Sequence, residues 1–168
     1  MRTSWTETWA AVADTIAKRS ACGVRQVGAV IVSPDNTAHW AGYNGPPAGY
    51  TEVLGLTKVI GCASYCPQGT LAPGESVWAS APGDADRPCL SIHAEINALI
   101  KSDPELRQNG TAFSTAAPCW KCALAIANSG VDKLVCRDWE ADRIELKSDI
   151  VELYNKLDIR IEKWPNSC

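Results

Sequence analysis

From Ser91 to its end the chain alternates helical and extended patterns with little between them. An apolar helical stretch runs from about Ser91 to Ser102, an extended run covers Thr111 to Thr115, and a helix opens at Pro118 and closes near Gly130. Leu134-Val135-Cys136 is extended, Glu140 to Leu157 is a charged amphipathic helix, and Ile159 to Ile161 is a last short strand. Such alternation implies strands running parallel with helices laid over the sheet, because a parallel connection needs a crossover long enough to hold a helix. The expected fold is therefore α/β, with three layers.

The first half adds a helix and a hairpin. Trp5, Trp9, Val12, Ala13 and Ile16 recur at three- and four-residue spacing from Ser4 to near Ser20, and Ser4 with Glu7 forms a capping box at the start. Val27 to Val32 is a β-branched run, Ser33-Pro34-Asp35-Asn36 is a turn, and Ala38 to Tyr43 is a second strand. His39 lies on that strand and reads as a surface residue. At 168 residues the chain has the length of one domain, so residues 1–168 are expected to form a single unit. Residues 44–90 interrupt it as an insertion rich in Cys, Gly and Pro, and so long a structureless loop calls for an anchor.

Composition excludes several classes. With 46% hydrophobic and 21% charged residues the chain is neither a disordered tail nor a membrane protein. Glu7, Asp14 and Lys18 break up the amino terminus, so it lacks the apolar block of a secretory signal, and no run approaches the roughly 18 apolar residues of a membrane span. The expectation is a cytoplasmic protein with no membrane partner. A net charge of −3 with 16 scattered basic residues argues against a polynucleotide ligand, which normally leaves a basic stripe.

Eight cysteines in a reducing compartment point to metal ligands or redox pairs rather than disulfides. The sharpest cluster is His93-Ala94-Glu95 near the start of one expected helix, with Pro118-Cys119-Trp120-Lys121-Cys122 at the start of the next. Cys119 and Cys122 are three apart, which on a helix puts both sulfurs on one face, and a helix amino terminus favours the thiolate form. Pro118 suits the helix start because its missing N–H costs nothing there. His93 adds a third ligand, and three protein ligands leave zinc a fourth position for water, as in catalytic rather than structural sites. Glu95, two residues away, is placed to move protons. A bare Cys-x-x-Cys would read as a zinc knuckle or redox pair, with His93 as an ordinary core histidine; both halves together match the signature of zinc-dependent base deaminases.

With these motifs the chain resembles the deoxycytidylate (dCMP) deaminase family of the cytidine deaminase-like superfamily. The resemblance rests on His93-Ala94-Glu95-Ile96-Asn97-Ala98-Leu99, Pro118 to Cys122, Arg25 to Val32, and Gly42-Tyr43-Asn44-Gly45-Pro46-Pro47. It implies a three-layer α/β/α sandwich around a five-stranded mixed sheet, and zinc-dependent hydrolysis of a free cytosine nucleotide, most simply dCMP to dUMP and ammonia. Asn44 matches a residue that contacts sugar and base, and the turn at Gly45 approaches the nucleotide. Arg25 is expected to contact phosphate or anchor a loop, against the alternative of a solvated cation. Ala94, Ala117 and Trp139 complete the expected surroundings of the substrate, Trp139 standing where the family places an aromatic after the fourth strand.

The resemblance also implies a second, structural Zn²⁺ held by Cys22, Cys62, Cys66 and Cys89, the alternative being that some are buried free thiols. Cys136 and Cys168 are left as non-ligands. A homo-oligomer is implied, a hexamer among the forms, and dCTP and dTTP as effectors between subunits. Thr115-Ala116-Ala117 departs from the commoner residues before the cysteines, which leaves a 5-substituted deoxycytidylate within the substrate class. The rival readings are a nucleoside deaminase, an RNA/DNA-editing deaminase of cytosine or adenine, which predicts a basic channel, and a noncatalytic zinc module, which has no need of Glu95.

Overall fold

The computed structural model describes residues 2–20, 22, 25–49, 91–137 and 144–165. Within them lie helices α1 (Trp5–Ala17), α2 (Ala94–Lys101), α3 (Trp120–Ala127) and α4 (Ile144–Lys156), and strands β1 (Gly28–Val32), β2 (His39–Tyr43), β3 (Thr111–Ser114), β4 (Lys133–Cys136) and β5 (Arg160–Lys163). The five strands form one sheet in the order β2-β1-β3-β4-β5. β1 runs antiparallel to both β2 and β3, while β3, β4 and β5 are parallel. The sheet is mixed, as expected, and its parallel part coincides with the alternating half of the sequence. No helix among the described residues is long and apolar enough to cross a membrane.

Alternation along the strands splits the core between two faces. Val30, Val32, Phe113 and Val135 point to one face, where Trp9 and Ala13 of α1 cover them. Ala29, Ile31, Ala112, Leu134 and Cys136 point to the other, under α2, α3 and α4 through Ala94, Ala98, Leu99, Ala123, Ile126, Ile150 and Tyr154. β1 is buried along its whole length, as a strand covered on both sides must be.

The local signals act where the residues predict. Ser4 Oγ accepts from the Glu7 N–H, and Glu7 reaches back to the Ser4 N–H at 2.7 Å, completing the capping box of α1. Asp35 orders the β1–β2 turn by accepting from Ser33 Oγ and the Thr37 N–H and hydroxyl, and these bonds hold its carboxyl down at about 2. Trp9 Nε1 donates to Asn36 Oδ1 at 2.8 Å, tying α1 to that turn, and the exposed His39 ring packs on Trp9 with centroids 4.8 Å apart.

Two glycines set how closely helices lie on the hairpin. A Cβ on Gly28 would overlap the Ala13 carbonyl oxygen and the Ala17 backbone on α1, and one on Gly42 would overlap the Ala94 carbonyl oxygen and the Ala98 nitrogen on α2. Just beyond β2, Gly45 and Ile92 exchange two backbone hydrogen bonds of 3.1 and 2.8 Å. The chain on either side of the insertion is thereby joined at one point. After β4, Arg137 pairs with Asp14 of α1 at 2.7 Å and lies over the Trp164 ring at 4.7 Å.

Several boundaries differ from the sequence reading: α2 begins at Ala94 rather than near Ser91, α3 ends at Ala127 rather than near Gly130, and β5 covers Arg160–Lys163 rather than Ile159 to Ile161. α1 ends at Ala17 with Lys18 as its cap, short of Ser20. α3 begins at Trp120, not at Pro118, because Cys119 is extended (φ −73, ψ 168) and serves as the N-cap; Pro118 is buried one residue outside the helix.

Candidate metal centre

The chain puts both ligand-bearing segments at the same structural position. His93 is the N-cap of α2 and Cys119 is the N-cap of α3; both are extended, and neither side chain caps its helix. A Ser, Thr, Asp or Asn would ordinarily stand there and accept a backbone N–H. His93 and Cys119 instead turn toward one another: Cys119 Sγ lies 3.5 Å and Cys122 Sγ 3.3 Å from His93 Nδ1. Cys122 follows in the first turn of α3, so two helix amino termini, each the positive end of a dipole, converge on the sulfurs.

The ligand atoms of His93, Cys119 and Cys122 all lie within 4.8 Å of one another, the only such group of three or more among the described residues. A nitrogen at about 2.0 Å and a sulfur at about 2.3 Å on one tetrahedral zinc stand about 3.5 Å apart, so the donor set and spacing fit zinc. The three line a graded opening, His93 exposed, Cys119 half-buried and Cys122 buried.

Cys119 accepts a hydrogen bond from the Cys122 thiol, which outweighs its burial and holds it down at about 3, with His93 adding to the effect. Cys122 is pushed up by the same bond, by burial and by the nearby Glu95 carboxylate. Thiolates are the metal-binding form, so zinc uptake would displace a thiol proton.

Glu95 is buried on the first turn of α2 beside this group. Its Oε2 is 3.6 Å from Cys122 Sγ, and its Oε1 accepts from Ser114 Oγ at 3.4 Å. Burial raises its pKa; its own backbone N–H and His93 pull the other way. A buried carboxyl beside a three-ligand metal group can take up and return protons.

A family model described as the cytidine and deoxycytidylate deaminase zinc-binding region matches residues 3–137. The chain belongs to this deaminase family. It is 38% identical over 136 residues to a deoxycytidylate deaminase of Mycobacterium phage D29, covering 80% of this chain and 94% of that one. A Schizosaccharomyces pombe deoxycytidylate deaminase is 33% identical over 135 residues, of which this chain spans 37% of the length. Among solved structures, dCMP deaminase from cyanophage S-TIM5 in complex with dCMP and dUMP superimposes with a TM-score of 0.60 at 25% identity, covering 97% of this chain and 98% of that one. The family's chemistry is zinc-dependent hydrolytic deamination, and this chain brings together a His, two Cys and a Glu of the kind it uses.

The remaining expected site residues are placed as follows. Asn44 is buried, and its side chain bridges backbone: Oδ1 accepts from the Val27 N–H and Nδ2 donates to the Arg25 carbonyl, both at 2.8 Å. The Arg25 side chain is exposed, Gly45 is held in its bridge to Ile92, and Ala117 is half-buried before Pro118. Ala94 lies wholly within the core. Cys136 is buried in β4 and Cys22 is half-buried. Cys62, Cys66, Cys89, Trp139 and Cys168, with nearly all of the insertion, lie outside the described residues.

Sequence reasoning missed three contributors. Ser114 meets Glu95 across 19 residues. Asn97 donates to the Tyr43 carbonyl at 2.9 Å, fixing α2 to the end of β2. Arg107 donates to the Leu99 carbonyl in the last turn of α2 by Nη1 and to the Ser129 carbonyl just past α3 by Nε, and so holds the far ends of the two helices together. Only Asn97 had a signal, as a polar residue in an otherwise apolar turn.

Proposed function

We propose that this protein deaminates a free deoxycytidylate, converting dCMP and water to dUMP and ammonia. The observation that carries the reading is the placement of buried Glu95 against the His93, Cys119 and Cys122 group, in a chain similar along most of its length to a phage deoxycytidylate deaminase. Zinc bound by His93, Cys119 and Cys122 would lower the pKa of water toward neutrality. Glu95 takes the proton of the water that adds to C4 of the base and passes it to ring N3. A second transfer, of the proton from the new C4 hydroxyl through Glu95 to the amino nitrogen, accompanies rupture of the C4–N bond, departure of ammonia and formation of the C4 carbonyl.

We assign nucleotide recognition to Arg25, Asn44, Gly45, Ala94, Ala117 and Trp139. Asn44 keeps one N–H and one lone pair beyond its two backbone bonds, enough to address a sugar or base. Arg25, exposed and anchored through its carbonyl by Asn44, is assigned to the phosphate. A structural zinc on Cys22, Cys62, Cys66 and Cys89 predicts two zinc ions per chain by metal analysis. The proposal extends to a single-domain cytoplasmic enzyme, a homo-oligomer such as a hexamer, and dCTP and dTTP as effectors.

The test is ammonia release by the zinc-loaded protein from cytidine, deoxycytidine, CMP, dCMP, dCTP, 5-methyl-dCMP and a cytosine-containing oligonucleotide. Turnover of dCMP or its 5-methyl form far above the nucleosides and the oligonucleotide is expected. Turnover of the oligonucleotide alone would replace this reading with an editing deaminase, and no turnover with zinc bound would leave a noncatalytic module.

A further inference from the structure

Ser114 is the last residue of β3, paired in register with Ala29 of β1 and Cys136 of β4. All three occupy the face covered by α2, α3 and α4, and Ser114 is the hydroxyl in an otherwise apolar row. Its exposure is 0%, so its proton must find a partner or the burial is unfavourable. The Ala116 N–H donates to Ser114 Oγ at 3.4 Å and uses an acceptor site there, which leaves the single hydroxyl proton for Glu95 Oε1 at 3.4 Å.

The opposite carboxyl oxygen shows what this bond does. Glu95 Oε2 faces Cys122 Sγ at 3.6 Å. The other oxygen, Oε1, is met from β3 by the Ser114 hydroxyl. With Oε1 tied to the strand, Oε2 stays on the side of His93, Cys119 and Cys122.

We propose that Ser114 is a positioning residue for Glu95, its hydroxyl fixing the carboxyl so that the other oxygen faces the metal group. The proposal rests on the zinc-deaminase reading above, and its test separates the two. Zinc-loaded wild type, Ser114→Ala and Ser114→Thr are compared for kcat, KM, zinc content and thermal midpoint, and the wild type and Ser114→Ala are crystallised with zinc.

Ser114→Ala is expected to lose about tenfold in kcat, as for one lost hydrogen bond near the reacting groups. KM, zinc content and thermal midpoint should stay close to wild type, because alanine suits the neighbouring Ala29 and Cys136. Ser114→Thr, which keeps the hydroxyl, should recover most of the loss. In the crystals the Glu95 carboxyl should sit on Ser114 in the wild type and move by more than about 0.5 Å, the tolerance of a working site, in Ser114→Ala. An unmoved carboxyl overturns the proposal, as does an unchanged kcat or a Ser114→Thr rate no better than that of Ser114→Ala. Should the wild type leave dCMP untouched, the substrate reading fails while the crystal comparison still decides the role of Ser114.

Discussion

The two faces of the sheet are filled in contrasting ways. Beneath α1 lie large side chains, Trp9, Val30, Val32, Phe113 and Val135, with Trp164 at their edge. The other face is mixed: Ile31, Ile126, Leu134, Ile150 and Tyr154 fill much of it, but small residues, Ala29, Ala94, Ala98, Ala112 and Ala123, stand among them, with Gly42 directly under α2. Each large apolar side chain contributes about 1.5–3 kcal/mol on burial, so both faces stabilise the fold. The small residues of the second face let its helices come close. That closeness is what the site requires, because His, Cys, Ser and Glu side chains reach one another only when two helix ends and a strand end nearly touch. α1 comes equally close at Gly28, yet no candidate ligand or catalytic side chain lies at that contact.

The contrast can be tested at several strengths. Glu95→Ala should lower kcat by between about 100- and 10,000-fold, the range for a positioned proton carrier, with zinc retained by metal analysis. If activity survives, the face beneath α2 holds no proton shuttle. Gly42→Ala and Gly28→Ala form a matched pair, each forcing a helix off the hairpin at about 1–3 kcal/mol of stability. Gly42→Ala should also lower kcat/KM about 100-fold, since a displacement near 1 Å of reacting groups has that consequence, whereas Gly28→Ala should leave the rate of the folded protein nearly intact. Equal kinetic losses would erase the distinction between the faces.

A subtler effect concerns pH. Burial raises the Glu95 pKa, so between the ordinary glutamate value and the raised one the folded, metal-free protein holds a proton that the unfolded chain has released. Stability therefore falls as pH rises through that window. In urea titrations of chelator-treated protein, Glu95→Gln should match the wild type near pH 4 and exceed it near pH 8; an equal difference at both values would contradict the assignment. Smallest of all, Asp14→Asn removes the partner of Arg137 on the α1 face. Both side chains are more than a third exposed, so the loss should be at most about 1 kcal/mol by denaturation, with kcat unchanged.

Much of this arrangement was legible in the residues. The capping box at Ser4 and Glu7, the hairpin around Asp35 and the alternating second half follow from spacing and local chemistry and are present in the structure, which also brings His93, Cys119 and Cys122 together. What escaped was set by tertiary pairing. The start of α3 shifted because Cys119 took the N-cap position with its side chain turned to His93 rather than to the helix. The two backbone bonds of the Asn44 side chain, to Arg25 and Val27, also escaped, because that pairing is fixed only once β1 and β2 are side by side. Ser114 looked like an ordinary strand residue because its meaning depends on which helix lies above it.

The bridge between Gly45 and Ile92 works as a splice. Because the chain departs and returns through one pair of hydrogen-bonded residues, β2 and the His93 segment keep their relation independently of how much sequence lies between. Closing a longer loop costs only about 0.6 kcal/mol for each doubling of its length. Evolution or an engineer could therefore lengthen, trim or exchange that stretch as a cassette while the metal group beside the splice keeps its geometry.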